Sequence, residues 1–221
     1  MKKIIVLFLT FLLFSCGKEE AKGPIKIAAI EPLSGPYGAI GQDLIEQLKF
    51  QASIINNQGG VLDGRKIEIV PLDNGMKAEK TTEQLRKAID SGIRYITQGV
   101  GSSHALNIIK QLEKHNNRNP GKEVLYLNNS AVTTSFTNEL CTFFHFRFDA
   151  NVDMKVAALV TYIAKDKDVK KVYLLNQDYV YGQTFQKAAN RFLSQRAENV
   201  KVVGDELIVP FGKVLDFTPY V

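Results

Sequence analysis

From residue 25 onward, short apolar runs rich in β-formers alternate with stretches whose apolar residues recur every three or four positions. The runs Ile25–Ile30, Lys66–Pro71, Tyr95–Gln98, Val124–Leu127, Val172–Leu175 and Val200–Ile208 predict strands. Leu44, Leu48, Ala52 and Ile55 share one helical face, and Ala157, Val160, Ile163 and Ala164 repeat that spacing. Strands alternating with helices predict βαβ units on a parallel sheet covered by helices on both faces, an α/β fold. Asp63-Gly64 adds a tight turn between Leu62 and Arg65.

The rhythm breaks once, between Asn128 and Val152. Polar Ser/Thr positions fill its first half. In the second half His145, Arg147 and Asp149 alternate with Phe144, Phe146 and Phe148. That period-2 pattern predicts a strand that carries the chain out of one sheet and into another. The expected organisation is a first α/β lobe at 25–128, a hinge or crossover at 129–151 and the start of a second α/β lobe at 152–221. Only two clear strands follow the break, so the second lobe is expected to be incomplete in this chain. The closing "DFTPYV" reads the same way, with Thr218 as an N-cap and Pro219 at a first helical position.

The amino terminus sets the compartment. Lys2 and Lys3 precede an apolar run from Ile4 to Phe14, followed by Ser15 and Cys16. Eleven helical residues reach roughly 16 Å, short of a hydrocarbon core about 30 Å thick. This is the layout of a secretory signal. Leu13-Phe14-Ser15-Cys16 resembles a bacterial lipobox, which makes 1–15 a lipoprotein signal peptide, Cys16 the lipidated residue and 16–24 a polar tether. The expected location is extracytoplasmic, lipid-anchored to a bacterial membrane. The formal charge falls from +5 to +3 once Lys2 and Lys3 leave, without a basic run interleaved with aromatics, which argues against nucleic acid as a partner. With Cys16 lipidated, Cys141 stands alone and no internal disulfide is expected.

Three patterns invite a chemical reading. Gly35, Gly38 and Gly41 follow a strand and open a helix, but their spacing is not that of a dinucleotide fingerprint, and no G-K-[ST] follows. Pro36 also removes a backbone donor that a phosphate cradle would use. "GSSHA", Gly101–Ala105, has the strand-to-helix context of a hydrolase nucleophile elbow around Ser103. A triad needs an acid and then a histidine later in the chain. Between Ser103 and His145 the sequence offers Glu113, Glu123 and Glu139 but no Asp, with Glu113 inside a helical run that has no reason to face the loop. Serines at a helix start suit either a carboxylate receptor or a cap, and the residues alone leave both open. His104, His115 and His145 show no metal-ligand spacing, and no cofactor or metal is expected.

"KIAAIEPLSGPYGAIGQDL", "INNQGGVLDGRKIEIVPLDN" and "SGIRYITQGVGSSHA" resemble the first lobe of the type I periplasmic binding proteins. The similar group is the leucine/isoleucine/valine-binding branch of ABC-transporter receptors. "VYLLNQDYVYGQTF" and "VVGDELIVPFGKVLDFTPYV" resemble the start of their second lobe. The resemblance implies a two-lobe type I periplasmic-binding-protein fold, no enzymatic activity, and a small-molecule ligand. That ligand would be an amino acid, branched-chain by default, or a related carboxylate, delivered to an ABC permease. A sensing subunit of the same fold is the alternative, and a serine hydrolase using Ser103 a further one.

The resemblance also implies roles. Ser102, with Ser103 beside it, falls where the family's serine holds the ligand α-carboxylate. Ser130 falls where a backbone carbonyl accepts from the ammonium. Val132 replaces a threonine that bonds the ligand, with Thr133 or Thr134 as substitutes, and Tyr181 matches a tyrosine that closes over the ligand. Ile40 replaces an aromatic, and Gly75 and Gly101 stand where that branch has a disulfide. An acidic partner for the ammonium would come from beyond residue 221, so the chain alone is expected to bind poorly.

Overall fold

The computed structural model describes residues 23–208, 214 and 216–220. The signal peptide, Cys16 and all but the end of the tether lie outside the described residues. In the first lobe run β1 (Ile25–Glu31), α1 (Gly38–Asn57), β2 (Ile67–Asp73), α2 (Ala78–Asp90), β3 (Tyr95–Gln98), α3 (Ser102–Arg118), β4 (Leu125–Asn128) and β5 (His145–Arg147). The second contains α4 (Val152–Lys165), β6 (Lys171–Gln177), α5 (Val180–Arg196) and β7 (Lys201–Ile208). The strands pair in parallel in the order β2-β1-β3-β4-β5, and β6 pairs with β7.

Helices on both faces bury the middle of the first sheet. Ala28, Ala29, Ile30 and Ile96 have no exposed surface, and Leu85, Ile108, Val124 and Phe136 close around them. Each fully buried Leu, Ile or Phe contributes about 1.5–3 kcal/mol, so this cluster is the main support of the strand ends discussed below. In the second lobe Val156 and Val160 of α4 pack on Ala188, Ala189 and Leu193 of α5. An Arg191–Asp153 ion pair of 2.8 Å ties the same two helices. Across the lobes, α3 packs against α5.

Two asparagines fasten helices to the strands that follow. Asn56 near the end of α1 accepts from Ile67 N at 2.7 Å and donates to Ile67 O at 2.8 Å. Asn116 in α3 does the same to Val124, at 2.8 and 3.0 Å. A side-chain amide presents one donor and one acceptor, so it can satisfy the peptide edge of one residue as a neighbouring strand would.

Two expectations are corrected. The segment around His145 does not leave the first sheet: β5 pairs with β4 through Tyr126↔His145, Leu127↔Phe146 and Asn128↔Arg147. Along it His145 is buried while Phe146 and Phe148 are exposed, because His145 finds buried polar partners. The chain visits the second lobe earlier, at Val132, which packs in that lobe's core and accepts from Val152 N at 2.9 Å. At 62–64 the turn is wider than expected. Leu62, Asp63 and Gly64 all have positive φ inside a bridge between Val61 and Arg65.

Candidate functional site

In a parallel sheet with this order, the connections from β1 and β3 leave toward opposite faces. The crevice at their carboxyl ends is where ligands bind in open α/β sheets. Glu31 ends β1 and Gln98 ends β3 at that switch point. The loops after β1, β2, β3 and β4 meet there.

The loop after β3 turns through Gly101, whose φ of 90° favours glycine, and enters α3 at Ser102. Gly101 occupies the N-cap and no side chain caps α3, so of the two roles the sequence left open for the serines, capping is not the one they fill. The first helical bonds run from His104 N and Ala105 N to the Gly101 carbonyl, at 3.0 and 3.2 Å. The amides of Ser102 and Ser103 therefore have no acceptor within the helix, at the positive end of a 17-residue macrodipole. Ser102 is buried at 3% exposure, while Ser103 faces solvent. Two peptide donors and two hydroxyls at one helix end suit a carboxylate.

The glycine loop after β1 serves packing. A Cβ on Gly41 would collide with the Pro32 carbonyl, and one on Gly38 would lie 3.3 Å from Leu33 O. The glycines let α1 sit directly on the loop. Donors of this loop are already used, since Leu33 N and the Ser34 hydroxyl bond Asp73 at 2.8 and 2.6 Å. Burial would raise the Asp73 carboxyl, but Ser34, Leu33, Gly75 and Lys80 outweigh it and hold it below its ordinary value. This Asp73 brace joins the loops after β1 and β2.

Glu31 joins the loops after β1, β3 and β4. It is fully buried and accepts from Gly99 N at 2.8 Å, Val100 N at 3.1 Å and, at a longer 3.4 Å, Asn129 Nδ2. Burial pushes its carboxyl up to about 7, against those three donors. Gln98 grips the same turn from the other side, donating to Val100 O at 2.6 Å and accepting from the Tyr126 hydroxyl at 2.7 Å. Gly99 lies so close to the next loop that a Cβ would run into the side chains of Asn129 and Ser130. Neither Glu31 nor Asp73 was singled out from the sequence. A carboxylate closing the otherwise apolar run "IAAIE" was the available signal for Glu31.

The structure thus brings Ser102, Ser103 and the exposed Ser130 to adjacent strand ends, with the Ser130 hydroxyl on Asn129 Oδ1 at 3.1 Å. Val132 is turned away into the second core. Thr133 and Thr134 carry buried hydroxyls without a hydrogen-bond partner among the described residues. Tyr181 stands in the first turn of α5, its ring 5.9 Å from Tyr179 and 6.1 Å from Phe185. Burial, then the neighbouring phenols of Tyr181 and of Tyr37 in the first lobe, lift the Tyr179 hydroxyl above its ordinary range. Ile40 is exposed in the first turn of α1.

A triad at Ser103 would require a histidine as base. His104 Nδ1 is paired with the Thr81 hydroxyl at 2.9 Å. His115 contacts Lys122 O and Asn119, and His145 contacts Phe136 O and Asn128. These bonds occupy one ring nitrogen of His104 and both of His115 and of His145.

Residues 24–221 match the periplasmic binding protein family. Leu/Ile/Val-binding protein homolog 4 of Brucella abortus (strain 2308) is 34% identical over 200 residues, 90% of this chain and 47% of that protein. The leucine-, isoleucine-, valine-, threonine- and alanine-binding protein from Brucella ovis, in a closed conformation, shares 34% identity with a TM-score of 0.75. That match covers 89% of this chain and 50% of the other. A solute-binding protein of an ABC transporter from R. palustris, in complex with benzoate, has the same fold at 22% identity and TM-score 0.75 over 90% of this chain and 51% of that one. The chain spans about half the length of the curated relatives it matches. Its parallel sheets, its switch-point crevice and these matches agree: the chain belongs to the periplasmic binding protein family.

Proposed function

We propose that this chain carries the first lobe, and part of the second, of an extracytoplasmic solute receptor. Its ligand is an amino acid or a related small carboxylate, bound between the lobes and passed to an ABC permease. The observation that carries this reading is the start of α3, where the peptide donors of Ser102 and Ser103 open onto the switch point beside Ser130. Tyr181 and Tyr179 supply the facing wall from the second lobe, and the segment 129–151 is the hinge about which the lobes close. The names of the Brucella relatives make a branched-chain amino acid the first ligand to try. A lipid on Cys16 tethers the receptor to its membrane.

The test is a thermal-shift and calorimetric screen of the longest reading frame containing this chain. The panel is the twenty standard amino acids, their amides, and benzoate as a carboxylate without an ammonium. Saturable stabilisation by free amino acids or benzoate, and none by the amides, supports a carboxylate receptor. Stabilisation by the amides alone overturns it.

A further inference from the structure

Glu31 is an expensive residue at its position. It has no exposed surface, and its hydrogen-bond partners among the described residues are neutral. A buried carboxylate without a counter-charge carries a desolvation cost that a neutral side chain would avoid. What the carboxylate offers in return is geometry, because its two oxygens serve two successive peptide N–H groups, Gly99 and Val100. Gln98 holds the Val100 carbonyl, so the peptide planes on either side of Val100 are fixed from both ends. The next residues are Gly101, the N-cap, and then Ser102 and Ser103. The direction in which the free N–H groups of α3 point follows from that grip. The same carboxylate also takes a bond from Asn129, whose side chain receives the Ser130 hydroxyl.

We propose that Glu31 is the positioning residue of the carboxylate receptor: one side chain clamps the turn that delivers Ser102 and Ser103 and, through Asn129, the loop that delivers Ser130. This rests on the reading of those serines as the ligand's receptor. The ionised form serves both N–H groups; the protonated form turns one oxygen into a donor and releases one of them. The clamp therefore tightens as pH rises through the range where Glu31 ionises. The titratable groups nearest it on the elements packed around it are Asp73, its register partner on β2, Tyr126 on β4, and His104 in the first turn of α3. The His104 imidazole lies against Gly101 and is lowered by burial, so that it titrates on the acid side of Glu31. Asp73 is engaged with Leu33, Ser34, Gly75 and Lys80, and the Tyr126 phenol stays neutral throughout.

The test has two parts, both on the longest reading frame containing this chain. In wild-type protein the backbone amide resonances of Gly99 and Val100 should titrate together near neutral pH, which needs no variant. In Glu31→Gln that titration should vanish and one of the two amides should exchange with solvent about tenfold faster or more, since the Gln side chain keeps an acceptor for only one of them. Affinity for whichever amino acid, or benzoate, the wild type binds should fall by about tenfold or more in the same variant. Unchanged exchange and unchanged titration overturn the clamp. Faster exchange with unaltered affinity overturns its role in binding. If the wild type binds no member of the panel, the receptor reading fails by itself, and the Gly99 and Val100 signals still decide the clamp.

Discussion

The imidazole of His145 lies stacked on the Tyr126 ring, with centroids 5.0 Å apart and planes inclined by 24°. Its Nε2 accepts from the Asn128 amide at 3.2 Å, which leaves Nδ1 to donate to the Phe136 carbonyl at 3.3 Å. Only the neutral ring fits this arrangement, since a second N–H would face the Asn128 NH2 group. Burial pushes His145 down, the Phe136 carbonyl opposes, and Arg147 adds to the lowering.

The unfolded chain therefore takes up a proton on His145 before the folded protein does. Stability from this site is complete above about pH 6.5 and falls as pH drops toward the lower folded value. His104, lowered by burial, acts in the same direction. His145→Phe keeps the stacking but removes the partner of the Phe136 carbonyl and one of the two acceptors of the Asn128 NH2, which still donates to Ala131 O, at a cost of about 1–3 kcal/mol near neutral pH. Urea unfolding between about pH 5 and 7.5 should show a shallower acid loss in the variant. An identical slope would count against this assignment.

Glu31 works in the opposite sense. Its carboxyl is raised from 4.5 to about 7, so the folded state holds its proton longer than the unfolded one. The contribution is fully present below the unfolded value near 4.5 and is lost as pH rises to about 7, by up to roughly 3 kcal/mol. Glu31→Gln should abolish that decline, which denaturant titrations from about pH 4.5 to 7.5 would reveal. A variant whose pH profile parallels the wild type would sink the claim.

Gly41→Ala forces a Cβ into the Pro32 carbonyl, and Gly182→Ala does the same against Gln177 in the second lobe. Backbone cannot yield cheaply, so each should cost about 1–3 kcal/mol. A domain of this size loses about 2–4 °C in Tm per kcal/mol, well within reach of calorimetry. A variant that melts with the wild type would mean that α1 can slide off its loop.

Ser102→Ala should weaken ligand binding by about tenfold or more, because a charge-assisted bond contributes about 1.5–3 kcal/mol. Folding should change by less than the roughly 1 kcal/mol of a lost cap, since Gly101 is the N-cap. Isothermal titration of wild type and variant with the same ligand checks the first part, and unchanged affinity refutes it.

Cys16 should be recovered from membranes with several acyl chains, as one chain anchors only weakly. Mass spectrometry of the mature amino terminus decides the matter. A lipid-free terminus cut elsewhere would remove the tether from the proposal.

Strands β1 and β3 were legible to within a residue because parallel strands buried on both faces read as largely apolar runs. β5 was misread for a physical reason. A period-2 pattern marks a strand but not the strand it pairs with, so the alternation could not show that β5 joins β4 in the first sheet instead of leaving it. Ser102 and Ser103 could be found from a strand, a glycine and a helix start within a few residues. Glu31 could be noticed as a carboxylate ending an apolar strand, but its partners could not, because the amides it holds lie 68 and 69 positions away and only the fold brings them together. Val132 shows the limit of carrying roles by resemblance, since its environment is set by α4 and α5.

Asn56 and Asn116 reach their strands over separations of only eleven and eight residues. Loops of that size close in about 10–100 ns, before the neighbouring strands, whose register partners lie 42 positions away for β2 and 30 and 19 for β4, can pair. Each amide fits one peptide edge only, so a strand arriving one residue out of step would forfeit both bonds and turn its side chains to the wrong face. The asparagines thus act as local registration marks, letting each strand settle its phase against its own helix before a neighbouring strand is there to enforce it.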